Sequence, residues 1–387
     1  MIYQQQLRIP GPTPLPERVV RAASRPMIDH RGPEFAELLA DITSGAKRVF
    51  ETANDLLVLT ASGSGGLESA VANLVSPGDE VVAALCGNFG ERFAGMASAY
   101  GAQVVKLEAE WGQPVEPADL AETLAAHPQA RVVLLTHNET STGVTNGLEG
   151  LVRVAHEAGR VVAVDGVSSV SSIPLGVDRL GVDVAVSASQ KGWMAPPGIA
   201  FVTVNERAWE LAERSRSPRY YFDWRLARKN AQGGSTPWTP AVSVLYAVQE
   251  GIRMLEEEGL DNVYARHRRL ADATEAGLAA MGFALFAAEG YRSATVTSAV
   301  PMPGLDVSAL RKLLRTRYGV VIAGGQGKMA GRMIRVGHLG AVADGDVVQV
   351  LWAVERALEE LDIAPFEGRA VAAATAQLAE EAAATPV

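Results

Sequence analysis

Apolar residues in the first two-thirds of the chain fall in short runs of β-branched and small side chains. Between the runs, apolar positions recur every three or four residues. The runs predict strands over 56–60, 80–85, 103–107, 132–136, 161–165, 183–187 and 199–204; the intervening stretches predict helices over 67–75, 90–100, 117–126 and 148–158. Several runs, Val161-Val162-Ala163-Val164 among them, are apolar without alternation, as expected of strands covered on both faces. Strand and helix in turn predict an α/β fold with a large, mostly parallel sheet between helical layers. After about residue 241 the pattern changes. Helical periodicity over 241–255 and 263–281, interrupted at Gly259 and Gly282, gives way to strands over 295–300, 320–323 and 333–337 and helices over 308–317 and 344–361. This predicts a large domain over 1–262 with an N-terminal arm over 1–20, and a smaller C-terminal α+β domain over 263–366. The Ala/Glu-rich tail over 367–387 reads as a solvated helix or a disordered end.

Charge and cysteine content narrow the chemistry. The formal net charge is -9 and the basic residues are scattered, so no stripe suited to nucleic acid is expected. No apolar run approaches the roughly 20 residues of a membrane helix. The first ten residues carry neither a basic leader nor an apolar signal core, and a cytoplasmic location is the expectation. Cys86 is the sole cysteine, and the six histidines lack metal-binding spacing. Chemistry here is therefore expected to rest on an organic cofactor rather than a metal.

Three places along the chain are suited to such a cofactor. Lys191, in Ser187-Ala188-Ser189-Gln190-Lys191-Gly192, follows a buried strand among small residues. Desolvation there lowers an amine's pKa and makes it available for Schiff-base formation, although a surface lysine after a strand fits the same pattern. Asp165 ends an apolar strand, at the edge where open α/β sheets bind ligands. It is placed to pair with a protonated ring nitrogen or, more plainly, to cap a turn. The run Thr60-Ala61-Ser62-Gly63-Ser64-Gly65-Gly66 joins a strand to a helix without the spacing of a P-loop or dinucleotide fingerprint. One phosphate at a helix N-terminus suits it better, but such turns are common.

Taken together, PGPT (10–13), HRGPEF (30–35), ASGSGGLE (61–68), GNFGER (87–92), HNETSTG (137–143), VDGVSS (164–169), SASQKGWMAPPG (187–198) and STPWTP (235–240) resemble the class V aminotransferases, close to the alanine–glyoxylate and serine–glyoxylate (serine–pyruvate) enzymes. The resemblance covers nearly the whole chain. It implies the fold type I architecture of pyridoxal-5′-phosphate transferases and a ping-pong transamination between serine or alanine and glyoxylate or pyruvate. Under it, Lys191 holds the cofactor and shuttles the proton. Asp165 pairs with the ring nitrogen, Val167 packs on one ring face and Phe89 stacks on the other. Ser64, Gly65, the backbone of Gly66 and the side chain of Gln190 hold the phosphate, and some relatives have histidine where Gly66 stands. Thr140 lies near the phenolic oxygen, and Thr239 reaches the phosphate of a neighbouring subunit, which implies a homodimer with shared sites. Arg335 clamps the substrate carboxylate, a task suited to a planar guanidinium; a strand-edge arginine in a surface ion pair is the plainer alternative.

The remaining candidates are less specific. His30 and Arg31 lie near the substrate entrance in relatives, and Arg31, Arg225 or Arg228 are candidates for a second carboxylate. His137 reads as a hydrogen-bonded structural residue. Two other functions keep the same fold: a lyase or desulfurase, which needs a cysteine in the C-terminal part that this chain lacks, and a non-catalytic cofactor-binding subunit.

Overall fold

A computed structural model describes residues 5–384. Its centre is a seven-stranded sheet in the order Asp55–Ala61, Gly198–Val204, Val184–Ala188, Val161–Asp165, Val132–Thr136, Glu80–Leu85, Gln103–Glu108. Gly198–Val204 runs antiparallel to both neighbours, and the other six strands share one direction. The period-two geometry of a strand sends successive side chains to opposite faces. Thus Val82, Val133, Val162 and Ala185 enter one core with the helices Pro33–Phe50 and Val242–Glu258. Val81, Val132, Val161 and Val184 enter a second core with Gly63–Leu74 and Asn88–Ala99. Every residue of Val161–Asp165 and Val184–Ala188 is buried, which is why those runs carry no polar alternation.

A second sheet of five strands has the order Gln6–Arg8, Val320–Gly324, Ile334–Gly337, Val296–Val300, Ala284–Leu285. The N-terminal arm thus pairs with the smaller sheet, Leu7 opposite Val321, rather than with the large one. The helices Val242–Glu258 and Leu260–Ala280 are separated by Gly259, whose N–H donates to Leu255 O at 2.9 Å.

Several helices, among them Pro33–Phe50 and Trp224–Gln232, were not expected from the sequence, and two expected elements differ in ways that bear on packing. The helix expected from Leu67 begins four residues earlier, at Gly63, with Ser62 Oγ accepting from Gly65 N at 3.3 Å. The glycines that look like a loop are there for close packing. A Cβ on Gly66 would stand 2.7 Å from Val186 Cγ1, so any side chain would push the helix off the sheet. The tail also differs. Arg369–Ala384 is helical but not simply solvated, because Ala370, Ala374 and Leu378 are buried in the core of the smaller sheet. Its N-terminus docks on Glu355, a buried carboxylate that accepts from Glu367 N, Arg369 N and Ala370 N at 3.2, 3.1 and 3.3 Å. Composition suggested solvation because alanine supplies an apolar stripe too faint to stand out.

Ala374→Asp places an unpaired charge in this contact. It is expected to lower the unfolding free energy by about 3 kcal/mol, read from urea midpoints. Ala376→Asp, on the exposed side of the same helix, serves as the reference and should change it by less than about 0.5 kcal/mol.

Candidate active site

The loop after Val184–Ala188 is fixed before any ligand is considered. Ser189 Oγ donates to Pro196 O at 2.6 Å, Ala195 N donates to Ser189 O at 3.0 Å, and Met194 N donates to Lys191 O at 3.0 Å. Trp193 is fully buried, its ring 4.6 Å from Phe201 and its Nε1 donating to Ser187 Oγ at 2.8 Å. With Trp193 anchored inward, Lys191 turns toward the N-terminal arm. Its Nζ donates to Pro10 O, and Thr13 closes the contact, Thr13 Oγ1 donating to Lys191 O at 3.1 Å and Thr13 N to Gln190 O at 3.2 Å. Gly11 has φ 114, and a Cβ there would lie 2.7 Å from Lys191 Cδ. Only glycine lets this strap lie on the lysine. Lys191 is 9% exposed, and burial pushes its amine pKa down to about 8 against the raising effect of Asp165.

Asp165 stands at the C-terminal end of the central strand, paired in register with Thr136 and Val186. Its Oδ1 accepts from Val167 N at 2.9 Å. Burial pushes its pKa up to about 6; the Val167 bond, Lys191 and Arg92 pull it down, and Glu139 pushes it further up. Lysine and aspartate are thus both drawn toward neutrality by desolvation, and neither forms an ion pair in contact among the described residues.

The start of Gly63–Leu74 lies beside them, Gly63 packing toward Val167 and Ala188. Here the phosphate expectation needs correction. Gly66 N already donates to Ser62 O at 3.0 Å and Gly65 N to Ser62 Oγ, so Gly66 offers no free donor. A side chain at this position would meet Val186 instead of an anion. The uncommitted N–H groups of the first turn belong to Gly63 and Ser64. Gln190 contributes a side-chain oxygen, Oε1, that is buried without a hydrogen-bond partner.

Phe89 is half-buried in the first turn of Asn88–Ala99, with the Arg92 guanidinium 4.9 Å above its ring. Thr140 is buried, Oγ1 donating to Ser168 Oγ at 2.9 Å. The Thr140 carbonyl reaches the smaller sheet, where Arg335 Nη1 donates to it at 2.8 Å and Nε donates to Gly324 O at 2.8 Å. Arg335 is 5% exposed and forms no ion pair among the described residues. Burial pushes its pKa down to about 10, partly offset by Glu139. This is not a strand-edge arginine in a surface pair. Glu139 was not singled out from the sequence, although HNETSTG contains it.

Other candidates stand apart. Thr239 is exposed, beside Trp238, whose indole stacks on the exposed Tyr220 at 4.9 Å, and no hydrogen bond links it to the lysine cluster. Arg31 donates to Thr236 O at 2.5 Å, while Arg225 pairs with Asp223 at 2.7 Å and Arg228 with Asp55 at 2.8 Å, so all three are engaged away from Lys191. His30 has no resolved role. His137 is buried and neutral, pushed down to about 4 by desolvation; its backbone is hydrogen-bonded to Asp165 and Asn146, while its ring Nδ1 has no partner among the described residues. Cys86 is buried, its thiol pushed up to about 12 by desolvation.

A family model described as Aminotransferase class-V matches residues 9–341. The chain is 39% identical to a protein named soluble hydrogenase, small subunit, from Synechococcus sp., over 95% of this chain and 97% of that one. It is 35% identical to a serine–glyoxylate aminotransferase of Methylorubrum extorquens, over 97% and 96%. Among solved structures, the alanine–glyoxylate aminotransferase of Nostoc sp. aligns with TM-score 0.90 and 31% identity, covering 92% of this chain and 96% of that one.

The buried amine carries a pH-dependent prediction. Between its folded pKa of about 8 and the ordinary 10.5, the unfolded state binds more protons. The stability associated with this group therefore rises with pH across that window and is lowest below it. In cofactor-free protein, Lys191→Met is expected to be more stable than the parent at pH 7 by about 3 kcal/mol, with the advantage shrinking by pH 10. Denaturant curves at the two pH values measure it, and equal differences at both would show that the amine is solvated.

Proposed function

The chain belongs to the class-V aminotransferases, and from that membership we propose that it carries pyridoxal 5′-phosphate on Lys191 and exchanges an amino group between a small amino acid, serine or alanine, and glyoxylate or pyruvate. The architecture is that of fold type I, with its large mostly parallel sheet. The observation that carries the reading is Lys191 itself: an amine buried next to Asp165, drawn toward its neutral form, beside a helix start with free N–H groups.

The residues present fit that cofactor. The N–H groups of Gly63 and Ser64, the Ser64 hydroxyl and the Gln190 side-chain amide, turned so that its Nε2 donates, offer a phosphate end, with Gly65 close by. Asp165 would face the ring nitrogen, a cationic partner that offsets its desolvation and returns it to the carboxylate form. Val167 and Phe89 would hold the ring faces, and Thr140 the phenolic side. When bound, the cofactor supplies an electron-poor ring that acidifies the α-hydrogen of an attached amino acid.

The chain's own residues do the rest. Arg335, held by two backbone carbonyls, orients the substrate α-carboxylate through the part of its fork that these bonds do not use. Lys191 Nζ, uncharged above about pH 8 and sheltered from water by the Pro10–Thr13 strap, takes and returns the α-proton. Holding the carboxylate fixes which substituent faces the lysine, a positional contribution worth several kcal/mol to the barrier. The same site serves both halves of the exchange, because both substrates carry a carboxylate next to the reacting carbon.

The homodimer and a cytoplasmic location belong to the same proposal. Exposure of Thr239 and of the adjoining Tyr220–Trp238 stack supports a subunit contact there. No helix of the described residues is long and apolar enough to cross a membrane. A non-catalytic subunit, suggested by the name of one relative, leaves the unpaired Arg335 and the buried amine without purpose. A desulfurase would need a reactive thiolate, and Cys86 is buried and protonated.

Protein loaded with the cofactor should show a visible absorbance band that serine or alanine bleaches and glyoxylate or pyruvate restores. Lys191→Ala should fold but transfer no amino group; transfer at the parent rate would sink the assignment. Arg335→Lys should raise KM for donor and acceptor alike, by about 10- to 100-fold, because a point charge cannot reproduce the planar fork.

A further inference from the structure

Glu139 is fully buried on the short strand Asn138–Glu139, yet it has no ion pair among the described residues. Its two oxygens are each met by two donors. Oε2 accepts from Phe89 N and Gly90 N, both at 3.0 Å, and Oε1 accepts from Ser141 N at 3.0 Å and Ser141 Oγ at 2.6 Å. Ser141 Oγ in turn accepts from Asn88 N at 2.8 Å. The carboxylate therefore ties the first turn of Asn88–Ala99 to the turn that follows Asn138–Glu139. All four partners donate, an arrangement that suits the ionised acid; a proton on Oε2 would find no acceptor, and one on Oε1 only the Ser141 hydroxyl. Burial pushes its pKa up, and these bonds pull it back.

What lies at the two ends of this tie gives it meaning. One end is Phe89. The other is Thr140, the next residue along, whose carbonyl holds Arg335. Arg335 is a buried cation that likewise lacks an ion pair. Two opposite charges are thus buried near each other, close enough for Glu139 to raise the Arg335 pKa, without touching. A carboxylate in contact with Arg335 would compete with the substrate's own. Glu139 cannot become that competitor, since four donors hold its oxygens facing the helix and the turn.

We propose that Glu139 is a positioning residue: it sets the Phe89 ring and the Thr140–Arg335 clamp as one unit, and serves Arg335 as a counter-ion that leaves the guanidinium open to a carboxylate. The inference rests on the roles proposed above for Phe89 and Arg335. Its chemistry is simple. Glutamine at this position must turn its N–H2 group either onto Phe89 N and Gly90 N, losing both bonds, or onto Ser141, losing the Ser141 N bond and keeping only a reversed contact to the hydroxyl, so one side of the tie is weakened either way.

The test uses Glu139→Gln and the milder Ser141→Ala, the latter guarding against failure of the first to fold. Three quantities are measured well below the unfolding midpoint: amide hydrogen exchange at Phe89, Gly90 and Ser141, KM for donor and acceptor, and the visible circular dichroism of the bound cofactor. Exchange should quicken by about tenfold or more in Glu139→Gln on the side of the tie that meets the N–H2 group, either at Phe89 and Gly90 or at Ser141. KM for both substrates should rise together by about tenfold, and the dichroism should change sign or amplitude. Ser141→Ala should shift all three in the same direction by less. Faster exchange with parental KM and dichroism would reduce Glu139 to a helix cap and overturn the proposal, as would parental values throughout in either variant. Exchange needs no cofactor, so quickened exchange in a protein whose parent neither binds the cofactor nor transfers amino groups would defeat the aminotransferase reading while leaving the tie between helix and turn standing.

Discussion

The site is organised around charges buried without opposite charges in contact. Lys191, Asp165, Arg335 and Glu139 all lie within the folded interior, and each is secured chiefly by backbone groups: the Pro10 carbonyl, the Val167 amide, the Gly324 and Thr140 carbonyls, and the amides of Phe89, Gly90 and Ser141. Taking an ion out of water costs several kcal/mol after relaxation. A fold that accepts this cost four times in one region has its interior arranged for something that brings compensating charge. Under the proposed function, a phosphate, a cationic ring nitrogen and a carboxylate are the groups that would supply it.

The sheet makes this concentration of charge possible. Parallel strands end on one side, so Asp165, the lysine loop and the helix start at Gly63 meet there although they are far apart in sequence. The two packed faces are dry and apolar, which is what desolvates the amine. The second sheet supplies Arg335, and the N-terminal arm joins the two sheets physically. Gln6–Arg8 pairs with Val320–Gly324, while Pro10 and Thr13 rest on Lys191 and Gln190. The arm thereby links the strand layer that holds Arg335 to the loop that holds the amine.

Two buried glutamates show how the chain uses the same device for different ends. Glu355 receives three backbone amides and docks the C-terminal helix, a contact with no site residue nearby. Glu139 receives its donors from the helix that carries Phe89 and from the turn leading to Arg335. The local chemistry is alike; the consequences differ because of what each tied segment carries.

The sequence alone determined the strand runs, the helical periods and the residues at strand ends, because apolar patterning is a local property that burial on one or both faces imposes directly. Lys191 and Asp165 were legible for the same reason: Asp165 closes and Lys191 closely follows a run whose apolar character signals the desolvation that alters its acidity. Tertiary structure decided what depends on contacts distant along the chain. It decided that the glycines at 63, 65 and 66 lie inside a helix, because Val186 and Ala200 leave no room for a Cβ at Gly66. Docking against Leu260–Ala280 turned a faint alanine stripe into a packed tail helix. Only the folded chain revealed Arg335 as a buried cation without a carboxylate partner, and Glu139 as the anion held back from it. Sequence spacing does not encode which charge meets which backbone group, and that pairing determines whether a charge is satisfied within the protein or left for a ligand.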